Sequence, residues 1–207
     1  MSTTDPAARI ERFYRLHSKI YDATRWSFLF GRAALIKKIA ARKTPNHILE
    51  VGCGTGTNLL RLSRVFPQAS LTGLDISQQM LNVAQRKLAA VANPINLIHS
   101  AYHEPLKPEH PFDLVLFSYS LSMMNPGWQQ AIDAAFGDLA PGGLIAVVDF
   151  FNSPVALFKK WLATCHVRLD GHLLTQLKEN FKAHSIDVHK TYYGLWSYFI
   201  FVGERKT

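Results

Sequence analysis

The stretch HILEVGCGTGTNLLRL, from His47 to Leu62, decides the fold. Its first five residues form the short apolar run of a buried strand. Glycines then alternate at Gly52, Gly54 and Gly56, and a helical pattern follows from about Asn58 to Phe66, with Pro67 just beyond. Strand, glycine turn and helix in direct succession make the nucleotide-binding turn of a doubly wound sheet. Glycine admits positive φ and lets backbone N–H groups approach a ligand with no Cβ in the way.

The rest of the chain alternates in the same manner. Strands are expected at 47–51, 70–76, 95–99, 112–120 and 140–151, and helices at 58–66, 78–90 (with Ser77 as N-cap) and 127–139. The continuous apolar character of these strands predicts a parallel sheet covered on both faces. Two helices, 6–20 and 27–43, are expected ahead of it. In the second, Phe28, Leu35, Ile36 and Ile39 share a face that Arg32 interrupts. A helical region from 155 to 184, broken near Asp170–Gly171, precedes two strands that close the fold as an antiparallel hairpin. The expectation is one α/β domain, residues 1–207, with a mostly parallel seven-stranded sheet. Residues 1–43 form a lid and 44–207 the core.

Glu50 precedes the glycines by two, and Asp75 ends the second strand nineteen residues beyond Gly56. A carboxylate at Asp75 is placed to accept both hydroxyls of a ribose. A dinucleotide fingerprint needs a third glycine at position 57, where this chain has Thr57. A pyrophosphate also gains nothing from an acid such as Glu50, whereas a ligand carrying an ammonium group does. S-adenosylmethionine meets both conditions, with adenosine for Asp75 and an amino acid end for Glu50.

The motifs LEVGCGTG, GLDIS, FDLVLFSYSLSM and LAPGGLIAVVDF, in this order, resemble class I S-adenosylmethionine-dependent methyltransferases over residues 45–150. The resemblance implies that Gly52, Gly54 and Gly56 wrap the methionine part, that Asp75 holds the ribose and that Ile76 flanks the adenine. The family often has an acid after the third strand. Here Ser100 stands there, which leaves the adenine to Ser100, the Ala101 backbone or Tyr102. Phe117, at the end of the fourth strand, joins the candidate cofactor contacts.

The segments YRLHSKIYDATRWSFLFGR (14–32), YSLSMM (119–124) and GLWSYFIFVG (194–203) further resemble bacterial betaine-lipid N-methyltransferases, which trimethylate diacylglyceryl-homoserine. Phospholipid and quinone methyltransferases share a looser form of the N-terminal Tyr-Asp pair. Tyr119 and Tyr21 are the candidate catalytic residues: a hydroxyl can hydrogen-bond the acceptor amine, and an aromatic face favours a methylammonium by about 0.5–2 kcal/mol. The other reading makes both tyrosines core residues with satisfied hydroxyls. Neither paired carboxylates nor a Ser-His-Asp set appears, and no nucleobase-methylation motif follows the fourth strand. The alternatives are a methyltransferase for phosphatidylethanolamine, a quinone or a fatty-acid carboxylate, or a non-catalytic cofactor-binding module on a membrane or RNA.

Charge bears on the partner. The net charge is +8, and residues 1–43 hold ten Lys and Arg against three acids, interleaved with Phe, Tyr and Trp. Such a segment suits an anionic membrane surface; the expectation is a lid that also docks on the membrane, with no nucleic-acid partner. No apolar run reaches the roughly 18 residues of a membrane span, and the polar N-terminus has no signal-type core, so a cytoplasmic, peripheral protein is expected. Neither of the two cysteines belongs to a disulfide framework or a metal site. Cys53 is either a small side chain between glycines or a reactive thiol. His103 is the best-placed histidine for a base, and Asp149 either orients substrate or caps the following turn.

Overall fold

Strand β1 (His47–Val51) lies at the centre of a seven-stranded sheet, ordered β3-β2-β1-β4-β5-β7-β6, in the computed structural model. The structure describes residues 29–164, 167 and 169–206. Tyr21, the helix expected over 6–20 and Cys165 lie outside these. The other strands are β2 (Ser70–Asp75), β3 (Ile95–His99), β4 (Phe112–Ser118), β5 (Leu139–Asn152), β6 (Phe181–Thr191) and β7 (Trp196–Arg205). The first five pair in parallel, and β7 runs antiparallel between β5 and β6. The chain steps outward from β1 to β3, then returns to the other side of β1 with β4. The carboxyl ends of β1 and β4 therefore flank the point where the strand order reverses, which is where open α/β sheets bind ligands.

Helices cover both faces. On one, α1 (Arg32–Ala40), α2 (Thr57–Val65) and α3 (Gln78–Leu88) bury Leu35, Ile39, Leu59, Leu62 and Ala84 against Ile48, Leu114 and Val148. On the other, α4 (Trp128–Asp138) and α6 (His172–Asn180) bury Ala131, Ala135 and Leu177 against Val115, Val147 and Phe199. Each fully buried leucine is worth about 1.5–3 kcal/mol. A short helix, α5 (Ala156–Thr164), stands at the end of β5.

Several expected boundaries move; the strand expected at 112–120 ends at Ser118, where Tyr119 turns to positive φ. Helix α1 starts at Arg32 because Gly31 takes φ +81, where a Cβ would lie 2.5 Å from the Tyr198 ring. Residues 181–184, read as helix, belong to β6: Phe181 is buried and pairs with Arg205, so sheet pairing overrides local preference. The crossover from β3 to β4 contains no helix. It is pinned instead by Asp138 of α4, whose carboxylate accepts from Tyr102 Oη (2.9 Å), Leu106 N (2.9 Å) and Lys107 N (3.0 Å).

Candidate active site

The carboxyl edge of the sheet collects the residues singled out by sequence. Gly52, Gly54 and Gly56 all take positive φ, at +72, +55 and +73. They differ in what surrounds them. A Cβ on Gly52 would lie 2.5 Å from Ser120 Cβ, and one on Gly56 would crowd Ala84 and Leu88 of α3. Gly54 faces open space, with nothing within 4 Å of a Cβ. The first and last glycines thus serve close packing, and the middle one leaves a cradle for a ligand.

Asp75 ties this loop to β2. Its carboxylate accepts the Gly54 N–H at 2.7 Å and the Ser77 N–H at 2.9 Å. A carboxylate has about four acceptor positions, and can serve ribose hydroxyls as well as backbone N–H groups. Ser77 caps α3 as expected, its Oγ accepting from Met80 N. On the outer side of the loop, Lys87 of α3 donates to both Thr55 Oγ1 (3.0 Å) and Thr57 Oγ1 (2.9 Å).

Glu50 lies beneath the loop and is 2% exposed. Asn58 of α2 donates to its Oε1 at 2.9 Å, while Oε2 is buried with no partner among the described residues. Burial pushes its pKa up to about 7, opposed by the Asn58 amide and the Arg32 charge. A buried acceptor lacking a donor is costly, and an incoming ammonium group would satisfy it. Glu50 and the open cradle at Gly54 together fit the amino acid end of S-adenosylmethionine.

The raised pKa sets a pH dependence. The folded protein retains the Glu50 proton where the unfolded chain releases it, so this contribution is full below about pH 4.5 and lost as pH rises to about 7, by about 3 kcal/mol. Asp149, raised to about 6 by burial, acts in the same direction at lower pH. Urea unfolding of the ligand-free protein across this range should show the fall, and Glu50→Gln should flatten its upper part. Cofactor affinity should run the opposite way, weakening below about pH 7 as Glu50 gains its proton.

Arg32 is the residue sequence reading missed. It interrupted the apolar face of α1, and the structure gives the reason: its Nε donates to Ser118 Oγ at 3.0 Å, at the carboxyl end of β4. A cation thus stands near the buried Glu50, a pairing of charges that matches a zwitterionic amino acid.

Tyr119 takes the core alternative. It is 1% exposed, its hydroxyl donates to the Phe30 carbonyl at 2.9 Å, and its ring meets Phe150 edge-on. Its φ of +56 turns the chain sharply after β4. It anchors the entry to α1 and holds no free hydroxyl toward an acceptor.

Phe117 is fully buried with its ring against Tyr102, so its side chain offers a cofactor no surface. Tyr102 is removed from the adenine candidates, because its hydroxyl is buried on Asp138. Ile76 and Ser100 are partly exposed and Ala101 is exposed, at the ends of β2 and β3. Ser100 N donates to Asp75 O, which sets these two strand ends side by side. Burial raises the Cys53 thiol pKa, so the reactive-thiol reading fails; the sulfur packs 2.9 Å from where a Gly73 Cβ would stand. Asp149 caps, accepting from Ser122 N and Phe150 N. His103 is exposed.

A family model described as a methyltransferase domain matches residues 48–143. A demethylmenaquinone methyltransferase of Staphylococcus aureus is 27% identical over 183 residues, covering 84% of this chain and 75% of the relative. Among solved structures, N-methyltransferase NodS from Bradyrhizobium japonicum, in complex with S-adenosyl-L-homocysteine, matches with a TM-score of 0.70 at 17% identity, over 99% of this chain and 90% of that one. The (4+2)-cyclase SpnF matches with a TM-score of 0.80 at 15% identity, over 98% of both chains. The family match contains Glu50, the glycine loop and Asp75 in one segment, and the architecture around them is that of the solved relatives: this chain is an S-adenosylmethionine-dependent methyltransferase of class I fold.

Proposed function

We propose that the protein methylates the amine of a membrane-lipid headgroup, and that its reaction is the stepwise trimethylation of diacylglyceryl-homoserine. One observation carries the amine: an aromatic cluster beside Arg32 at the carboxyl edge. Phe30 contacts Tyr192 (ring centroids 5.8 Å), Trp196 (6.1 Å) and Tyr198 (6.4 Å, stacked). Aromatic faces attract an alkylammonium through the ring quadrupole; they also stack on a flat ring acceptor, so the choice of the amine leans on the resemblance as well. The resemblance of residues 14–32 and 194–203 to betaine-lipid enzymes supports the lipid.

When bound, S-adenosylmethionine supplies an electrophilic methyl group on a sulfonium centre. Glu50 takes its ammonium, Arg32 its carboxylate, and Asp75 its ribose hydroxyls, and the glycine loop lets the backbone approach. Positioning provides most of the rate in such a transfer. The acceptor amine must be neutral, and its proton leaves to water. The buried carboxylates need not act as bases, since Glu50 bonds Asn58 and Asp149 bonds two backbone N–H groups. Arg32→Ala should raise the KM for S-adenosylmethionine about tenfold, the loss of one charge-assisted hydrogen bond, with a smaller effect on kcat. Arg32→Lys should recover part of it in the same steady-state assay.

A quinone ring is the second reading, favoured by the 27% identity to the demethylmenaquinone enzyme. Lipid mass spectrometry decides. Vesicles carrying diacylglyceryl-homoserine, phosphatidylethanolamine and a demethylated menaquinol are incubated with protein and S-adenosylmethionine. One, two and three added methyl groups on the homoserine lipid establish the proposal. Methylation of the quinol or of phosphatidylethanolamine alone replaces the substrate.

A further inference from the structure

Part of the charge expected to meet a membrane is spent inside the molecule. On α1 and the turn after it, Lys38 pairs with Asp187 (3.0 Å), Lys43 with Asp113 (3.6 Å), and Arg32 bonds Ser118. A different surface has the composition that the first 43 residues promised. Helix α5 turns Phe158 and Leu162 into the core, yet its outward face carries Leu157, 78% exposed, and Trp161, 54% exposed, with exposed Lys160 between them. A surface helix ordinarily keeps its outer face polar.

This helix adjoins the tip of the β6–β7 hairpin. Ser153 Oγ, just before α5, donates to Leu195 O at 2.6 Å, and Ser197 Oγ donates to Asn152 O at 2.9 Å. The tip projects Tyr192 and Tyr193 at φ +46 and +57, a left-handed backbone unusual for tyrosine, and Tyr193 stands fully in solvent. Tyr192 in turn touches Phe30, whose carbonyl receives Tyr119. The apolar rim is therefore continuous with the mouth of the active site. Its charge is mostly of one sign: Lys159, Lys160 and Lys190 lie on these segments, no Asp or Glu occurs between Asp149 and Asp170 or between Asp187 and Glu204, and Asp170, which bridges to Asn152, is paired with His172.

We infer that α5 and the β6–β7 tip form a docking surface for an anionic lipid bilayer, which presents the mouth of the site to the headgroup layer. Leucine, tryptophan and tyrosine enter the interface, and the lysines meet anionic headgroups at about 1 kcal/mol each. Charge complementarity selects the bilayer: an interface between two copies of this chain would bring the same lysines face to face. The inference rests on the reading that the acceptor is a membrane amphiphile.

Flotation of the full-length protein with phosphatidylcholine vesicles, with and without phosphatidylglycerol, tests it. Wild type should float with the anionic vesicles and be released by salt. Leu157→Ser with Tyr193→Ser, and separately Lys159→Glu with Lys160→Glu, should each reduce partitioning about tenfold or more. Both pairs should retain turnover on a short-chain, detergent-dispersed acceptor. Wild-type partitioning in both variants overturns the inference and leaves docking to residues 1–43. So does a loss of self-association in the Leu157/Tyr193 variant with vesicle binding unchanged, which would assign the face to a second copy. Intact docking with no homoserine lipid methylated rejects the substrate and keeps the surface.

Discussion

Asp75→Ala is expected to weaken S-adenosylmethionine binding by more than about a hundredfold and to lower stability by about 3–5 kcal/mol, because on the proposed reading one carboxylate supports both the fold and the ligand. Its bonds to the Gly54 and Ser77 N–H groups hold the glycine loop against β2 and fix the first turn of α3. Alanine leaves two donors unpaired in a site that is 8% exposed at Asp75, and removes the ribose acceptor as well. Asp75→Asn keeps one acceptor but turns an amide NH2 toward a donor, so it should fall between. Titration calorimetry and urea unfolding of both variants measure the two effects. Wild-type affinity in Asp75→Ala would remove this carboxylate from the cofactor site.

Gly52→Ala and Gly54→Ala should fail in opposite ways. At Gly52 the added Cβ would stand 2.5 Å from Ser120 Cβ. Making room displaces Ser120, whose Oγ donates to Val51 O at 2.7 Å in the buried junction of β1 with the β4 loop. Adding the strain of positive φ, the expected loss is about 3–4 kcal/mol, seen as a lower unfolding midpoint and poor soluble yield. At Gly54 only the φ strain applies, about 1–2 kcal/mol, since nothing lies within 4 Å of the new Cβ. That Cβ fills the cradle, so cofactor binding should be lost from a protein that still folds. If Gly54→Ala bound S-adenosylmethionine normally, the open space over the loop would not be the cofactor's place.

How far the sequence reached follows from the range of the interactions involved. The glycine loop was legible because strand, turn and helix follow one another between His47 and Val65. The φ values of its glycines and the strand end at Asp75 are likewise local. The boundary at Phe181 was misread because β6 is held by a partner strand, and a helical pattern in α6 runs straight into it. Arg32 looked like an error in an amphipathic face because its partner, Ser118, is 86 residues away. The Tyr119 hydroxyl was left open between two roles because its acceptor, the Phe30 carbonyl, lies 89 residues back in the chain.

By itself, then, the sequence determined the order of elements, the glycine loop and the two carboxylates that flank it, since hydrophobic period and glycine conformation act over a few residues. Only the tertiary structure decided which polar groups stay open and which are consumed. It left Glu50 Oε2 without a partner among the described residues, closed the Tyr119 and Tyr102 hydroxyls on distant acceptors, and set Arg32 beside the site. It also exposed an apolar helix face and a tyrosine tip at the same edge. A side chain's availability depends on what folding packs around it, and that is settled by contacts between segments far apart in the chain.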